Sequence, residues 1–142
     1  MFYGQDKDLI EAITIDLSGM NSNRFFTPKE GFLRGNMFKD EYKPYKNLTY
    51  LNLIPKNEKE TLLLKVCEYD FAINDLGLYL DFYSEDNEAF SLFKIYKKEY
   101  EKAKLEYENK YGPLSLEDTA DYVYNWVDNP WPWDKEGGTY HV

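Results

Sequence analysis

Two long stretches of helical periodicity, separated by only a few residues, constrain the fold of this chain more than any other feature. The first is predicted over about residues 57–83, and the second begins near 84–86 and runs to Tyr111. Gly112 then predicts a left-handed stop, and Pro113 prevents the helix from continuing. Because the connecting loop is so short, the two helices are expected to fold back as an antiparallel hairpin.

The first predicted helix carries apolar residues on two opposite faces. Each residue turns a helix by about 100°, so residues that recur at steps of three and four form one narrow seam. The first seam comprises Leu62, Val66, Tyr69, Ile73, Leu76, Leu80 and Tyr83, and the second comprises Leu64, Cys67, Phe71, Leu78 and Phe82. A helix with two opposed apolar faces must be covered twice.

The second predicted helix has a single apolar stripe and therefore belongs at a surface. Lysine and glutamate fill the rest of it, so it can cover only one face of the first helix. The other face needs the N-terminal segment, the C-terminal tail or a second chain. The stripe comprises Ala89, Phe93, Tyr96, Tyr100, Ala103, Tyr107 and Tyr111.

The N-terminal part predicts short helices. Thr27 can cap a helix that has Pro28 in its first turn and Glu30 reaching back to the cap, and Gly35 ends that helix early. A second short turn is predicted over 37–42, followed by an extended connector over 46–55. Residues 9–15 fit a short helix or a strand, with a weak preference for helix.

The C-terminal tail combines a short predicted helix, from Ser115 to Trp126, with an extended Trp/Pro-rich end. Alternating proline and tryptophan at 130–133 is incompatible with helix and is typical of a segment that lies along a groove. Trp126, Trp131 and Trp133 are therefore candidate anchors for a partner protein. The alternative is that these rings fold back as a lid over the second seam of the first helix.

These patterns predict an all-α fold: an antiparallel two-helix hairpin with short N-terminal helices and an extended Trp/Pro-rich tail. Residues 1–56 are expected to form a partly irregular N-terminal segment, and 57–142 the hairpin plus tail. The beginning of the sequence has no basic stretch followed by an apolar core, which argues against a signal peptide. We therefore expect both synthesis and use inside a cell.

Composition argues against several functions. The formal net charge is −9, and residues 114–142 hold six acidic groups and one basic group. Such a chain is repelled by phosphate backbones and anionic lipids, so neither nucleic acid nor membrane is an expected partner. The 14 tyrosines and three tryptophans instead favour contacts between proteins.

The inventory of reactive side chains predicts no enzyme and no cofactor. His141 and Cys67 are each the single residue of their type, so a zinc or haem site built from this chain alone is not expected. The edge formed by Asp70, Asn74 and Asp81 supplies oxygen ligands that suit a hard cation. Its spacing matches no loop motif, and we interpret it as a solvated helix edge.

Several short motifs follow one another along residues 66–134. They are Glu68-Tyr69-Asp70-Phe71, Leu76-Gly77-Leu78-Tyr79-Leu80-Asp81, Asn87-Glu88-Ala89-Phe90, Tyr111-Gly112-Pro113-Leu114, Tyr124-Asn125-Trp126 and Asn129-Pro130-Trp131-Pro132-Trp133. No single motif is specific, but their order along the chain is. With this ordered set, residues 66–134 resemble the CotJB family of spore coat proteins.

The N-terminal part contains a further motif, which runs from Phe26 to Phe38 and is followed by Lys43-Pro44-Tyr45. It makes residues of about 25–47 similar to the companion CotJA family, without the proline-rich front of that family. Gly31 and Asn36 stand where alanine and threonine are expected. Together the two resemblances imply that this chain joins two proteins that are usually separate.

The resemblance implies a structural coat protein of spore-forming Firmicutes, made in the mother-cell cytoplasm and then placed in the endospore coat. It also implies a partner that resembles manganese catalase and that would hold the metals and the catalysis, besides other coat proteins. Two alternatives are a transient maturation factor for that partner and a self-associating scaffold cross-linked through tyrosines. The candidate interaction residues are Trp126, Trp131, Trp133, Leu64, Phe71, Leu78 and Phe82.

Overall fold

The computed structural model describes residues 22–47 and 52–118, and this part of the chain is helical. Its elements are α1 (Pro28–Arg34), α2 (Glu58–Phe82), α3 (Asn87–Tyr111) and one 3-10 turn (Leu116–Asp118). The long helices α2 and α3 pack side by side, and α1 packs on α2. Between the described residues the only strand-like pairing is an isolated bridge. The all-α class and the packed pair of long helices are confirmed.

Both long helices begin where the sequence predicts, because a side chain caps each start. The Asn57 side chain accepts a hydrogen bond from the Glu60 amide at 2.8 Å, and Asp86 accepts one from the Ala89 amide at 3.1 Å. At the end of α3, Gly112 has φ 99° and ψ 173°. The positive φ was expected, but the ψ value is extended, so the predicted left-handed helical stop is wrong in that detail.

The short helix α1 has the predicted capping box. The Thr27 side chain accepts a hydrogen bond from the Glu30 amide, and the Glu30 carboxylate accepts a hydrogen bond from the Thr27 amide at 3.2 Å. Gly35 ends the helix in the left-handed conformation, with φ 70°. Of the predicted short N-terminal helices, α1 alone lies within the described residues, and the stretch 9–15 lies outside them.

The segment after α1 corrects the prediction of a second helical turn over 37–42. Its backbone instead pairs with the residues that precede α1: the Phe26 amide donates to the Met37 carbonyl at 2.8 Å, and the Lys39 amide donates to the Arg24 carbonyl at 2.9 Å. These two hydrogen bonds occupy groups that a helix would pair internally, so residue 37 forms a bend and residue 38 an isolated bridge instead of a helix. A single turn follows over 39–42.

Two groups of buried side chains form the core. The open-end cluster lies where α2 begins and α3 ends, and the turn-end cluster lies near the loop between the helices and includes Phe25 and Met37 from the N-terminal segment. Alanine at the α2–α3 contact lets the two backbones approach closely. The open-end cluster comprises Leu62, Val66, Ala103 and Tyr107, and the turn-end cluster comprises Phe25, Met37, Ala72, Leu76, Ala89, Leu92 and Tyr96.

The N-terminal segment covers the middle of the second face of α2. The ring of Phe32 in α1 meets Phe71 edge-on, with centroids 6.0 Å apart, and the Met37 amide donates to the Asp75 carboxylate at 2.9 Å. The predicted need for a second cover is met here by this segment, one of the three options open from sequence. Beyond Asp75 the segment still contacts Tyr79, but Leu78 and Phe82 in the last two turns of α2 are exposed.

Candidate protein-interaction surface

An open groove lies at the end of the hairpin that carries the α2–α3 loop. We call it the turn-end groove; its volume is about 570 Å³. Leu78 and Phe82 line it with 59% and 86% of their surface exposed. Side chains this exposed contribute little to folding and are available to a partner. Its apolar lining comprises Phe25, Phe38, Leu78, Tyr79, Phe82 and Tyr83.

Stacked and edge-on aromatic rings form the floor of the turn-end groove. Phe38 contacts both Phe25 and Tyr79, with ring centroids 5.5 Å and 5.0 Å away, and Phe25 meets Tyr79 edge-on at 6.3 Å. Tyr79 in turn stacks on Tyr83 at 4.7 Å. Because each ring contacts its neighbours, the side chains of the floor are restricted in rotation and form an ordered surface.

A cluster of polar side chains around Arg24 ties the N-terminal segment to the start of α3. Its guanidinium donates to Asp86 at 2.7 Å and to Glu88 at 3.1 Å, and also reaches the Tyr79 hydroxyl at 3.2 Å. The Tyr79 hydroxyl donates to Asp86 at 2.9 Å, and the Ser22 hydroxyl donates to Glu88 at 2.7 Å. We call this set the Arg24 cluster.

The Arg24 cluster keeps Asp86 ionised. Hydrogen bonds from Arg24 are the main cause that holds the pKa of this carboxyl well below its usual range, and the hydrogen bonds from the Ala89 amide and the Tyr79 hydroxyl act in the same direction. Asp86 thus has two structural tasks: it caps α3 and it binds Arg24. The ionised Asp86 carboxylate therefore links the start of α3 to the N-terminal segment, which forms one wall of the turn-end groove.

The rim of the turn-end groove is acidic. Asp40, Glu41 and Asp75 line it, and of the described basic residues Arg24 is the one that lies beside them. The charge of Arg24 is already offset by Asp86 and Glu88. The groove therefore combines an aromatic floor with a net negative rim.

A second apolar surface, the open-end patch, lies near the beginning of α2. Leu53, Ile54 and Leu63 are exposed there, beside half-buried Leu64 and Cys67. This depression is shallow, with a volume of about 290 Å³. Burial is the main cause that raises the pKa of the Cys67 thiol, followed by the charge of Asp70, so the thiol is disfavoured as a nucleophile.

The structure divides the predicted interaction residues into three groups. Leu78 and Phe82 come together in the turn-end groove, whereas Leu64 lies in the open-end patch. Phe71 is half-buried against α1 and is not a free surface. The three tryptophans, Trp126, Trp131 and Trp133, lie outside the described residues.

Sequence periodicity placed Tyr83 in the buried first seam, and this is wrong. Tyr83 caps the end of α2, beyond the last turn that α3 covers, and its ring is exposed. The contributions of Phe25 and Phe38 to the groove were missed for another reason. Their partners lie more than 40 residues away in the chain, and no local pattern reports such contacts.

The acidic edge of α2 is spread along the helix. Asp70, Asn74 and Asp81 are exposed, and residues 22–47 and 52–118 contain no group of three or more His, Cys, Asp or Glu side chains placed to hold a metal ion. In the same ranges no helix has the length and apolar character needed to cross a membrane.

Comparison with known proteins places the hairpin in a family. No curated protein matches the chain, and no solved structure matches it. The family model described as CotJB protein matches residues 60–134, which include nearly all of α2 and the whole of α3. The match does not reach the N-terminal segment, and the resemblance of residues 25–47 to CotJA receives no support from it. Because the match covers more than half of the sequence, this chain belongs to the CotJB family and is a spore-coat-related protein.

Proposed function

We propose that this chain is a structural assembly protein of the bacterial endospore coat that binds a coat protein resembling manganese catalase, together with other coat components. It is made in the mother-cell cytoplasm and then joins the coat. The observation that carries the proposal is that the family match, residues 60–134, spans a hairpin whose first helix ends in exposed Leu78 and Phe82.

The exposure of these two side chains supports a binding role on energetic grounds. Burying a leucine or phenylalanine side chain that is otherwise exposed stabilises a complex by about 1.5–3 kcal/mol. Leu78 and Phe82 are one helical turn apart, so a single partner surface can bury both at once. Anchors of this kind dominate many interfaces between proteins.

The fixed shape of the groove supports the same role. The aromatic floor is held by ring contacts, and the Arg24 cluster fixes the wall contributed by the N-terminal segment. A surface that is ordered before binding loses less conformational entropy when the partner arrives. In this proposal the catalytic chemistry belongs to the partner, and this chain positions it.

Co-expression with the manganese-catalase-like coat protein of the same genome, followed by size-exclusion chromatography, tests the proposal. We expect a stable joint peak that contains both proteins. Elution of this chain alone as a well-folded species, with the partner in a separate peak, would contradict the binding role.

A matched pair of leucines locates the surface. Leu78 and Leu105 are 59% and 60% exposed, but Leu78 lies in the turn-end groove and Leu105 on α3. We expect Leu78→Glu to weaken co-elution at least about tenfold, because a carboxylate replaces an apolar anchor. Leu105→Glu is expected to leave the joint peak unchanged. Equal effects of the two substitutions would show that the groove is not the binding surface.

A further inference from the structure

An exposed basic segment follows directly after the acidic rim of the turn-end groove. Residues 43–46 read Lys-Pro-Tyr-Lys, and they adopt neither helix nor strand. The Tyr45 side chain is 83% exposed, and both lysines are exposed. Pro44 restricts the backbone, so the segment presents an aromatic ring between two positive charges with little freedom to lose.

The segment and the turn-end groove are complementary in chemistry. The groove offers an aromatic floor, and its rim carries Asp40 and Glu41. Within residues 22–47 and 52–118 neither of these carboxylates forms an ion pair. A tyrosine ring favours edge-on or offset contact with other aromatic rings, and lysine ammonium groups favour carboxylates.

The segment does not fill the groove of its own chain. Tyr45 is four residues after Glu41, which lines the groove, and yet the Tyr45 ring is almost fully exposed. The Tyr45 ring therefore does not lie on the aromatic floor of its own chain. The ring and the groove are both open to a neighbouring molecule.

We propose that the turn-end groove binds residues 43–46 of a second copy of this chain, with Tyr45 on the aromatic floor and the two lysines at Asp40 and Glu41. Segment and groove lie next to each other, so a twofold axis between two molecules lets both contacts form at once. The product is a symmetric dimer in which each molecule gives one segment and receives one.

This inference goes beyond the proposed function, because it concerns the free chain without any coat partner. A partner that binds Leu78 and Phe82 would take the place of the second copy. The oligomeric state of the isolated chain therefore tests the inference, whatever the outcome of the co-elution experiment.

Sedimentation velocity of the purified full chain over a range of concentrations is the experiment. We expect a monomer–dimer equilibrium that weakens when salt is raised from about 0.05 M to about 0.5 M, because the lysine–carboxylate contacts are screened. Tyr45→Ser and Phe82→Ser should each weaken the dimer at least about tenfold. Leu105→Ser, at a similarly exposed position outside the groove, should leave it unchanged.

A charge exchange makes the test specific. The double variant Lys43→Glu with Lys46→Glu should be monomeric, and adding Asp40→Lys with Glu41→Lys in the same chain should restore the dimer. Circular dichroism melting of each variant checks folding, which these exposed positions should not alter. A wild-type chain that stays monomeric at every concentration, or a dimer that tolerates both Tyr45→Ser and Phe82→Ser, would overturn the proposal.

Discussion

At the scale of single residues, Arg24 joins parts of the chain that are far apart in sequence. It contacts Asp86 and Glu88, which lie 62 and 64 positions later. We expect Arg24→Met to lower the free energy of unfolding by about 1 kcal/mol, a value reduced from that of a buried pair because the Arg24 side chain is nearly half exposed. Chemical denaturation measures this. The more exposed pair of Lys110 and Glu58 is the control. Lys110→Met should lower the free energy of unfolding by less than Arg24→Met does.

The same cluster predicts how stability depends on pH. The pKa of Asp86 is lowered in the folded protein, so this group stabilises the fold above its unfolded pKa of about 3.9. That stabilisation is lost as the pH falls below that value toward the folded pKa. The melting temperature should thus fall in acid, and the fall should be smaller in Arg24→Met. An unchanged acid dependence in this variant would argue against the Arg24 pairing.

Individual residues also show what the sequence can and cannot predict. Periodicity identified Leu62, Val66 and Leu76 as core positions, and all three are buried. It missed Ala72 and Leu92, which are also buried. Each predicted seam took about one residue per turn, and these two lie next to the chosen Ile73 and Phe93. The Arg24 cluster was not predictable, since its partners are set by the tertiary fold rather than by any local spacing.

At the scale of elements, the packing of α1 against the segment after it depends on a glycine. A Cβ atom at Gly31 would overlap the sulfur of Met37, which is fully buried. Gly31→Ala raises the helix propensity of α1, which stabilises the fold by about 0.5–1 kcal/mol. The overpacked contact with Met37 destabilises it by about 1–3 kcal/mol. We therefore expect the free energy of unfolding to fall by about 1 kcal/mol. Thermal melting is the measurement.

Gly77 in α2 is the matched control for this prediction. A Cβ atom there would meet Phe93 at 3.5 Å, an ordinary contact distance. Gly77→Ala is therefore expected to be neutral or to stabilise by up to about 1 kcal/mol, since only the propensity gain applies. If both alanine variants shifted stability in the same direction, the close contact between Gly31 and Met37 would not be the cause.

Two roles are predicted for the C-terminal tail: an anchor for a partner protein, or a lid over the hairpin. If Trp131 and Trp133 are interface anchors, replacing both with alanine abolishes co-elution with the coat partner and leaves thermal melting unchanged. If they instead form a lid over the hairpin, the same double variant melts at a clearly lower temperature, because large apolar rings leave the core. Measuring binding and melting on one variant separates the two.

At the scale of the whole molecule, the hairpin was predictable and the position of the N-terminal segment was not. Helix caps, apolar periodicity and a short loop are local signals, and they located both long helices to within three residues. Sequence also indicated that the second face of α2 needed a cover. It left open whether the N-terminal segment, the C-terminal tail or a second chain supplied the cover. The contact of Phe32 with Phe71, which exists only in the folded chain, identifies the N-terminal segment.

The long separation between Arg24 and Asp86 has a consequence for the order of folding. The α2–α3 pairing joins neighbouring elements through a short loop, so its closure entropy is small, whereas the Arg24–Asp86 contact closes a loop of 62 residues. During synthesis the N-terminal segment leaves the ribosome long before α3 exists. Arg24 therefore has no partner until the start of α3 has been made, and the groove wall that it holds can be fixed only after that.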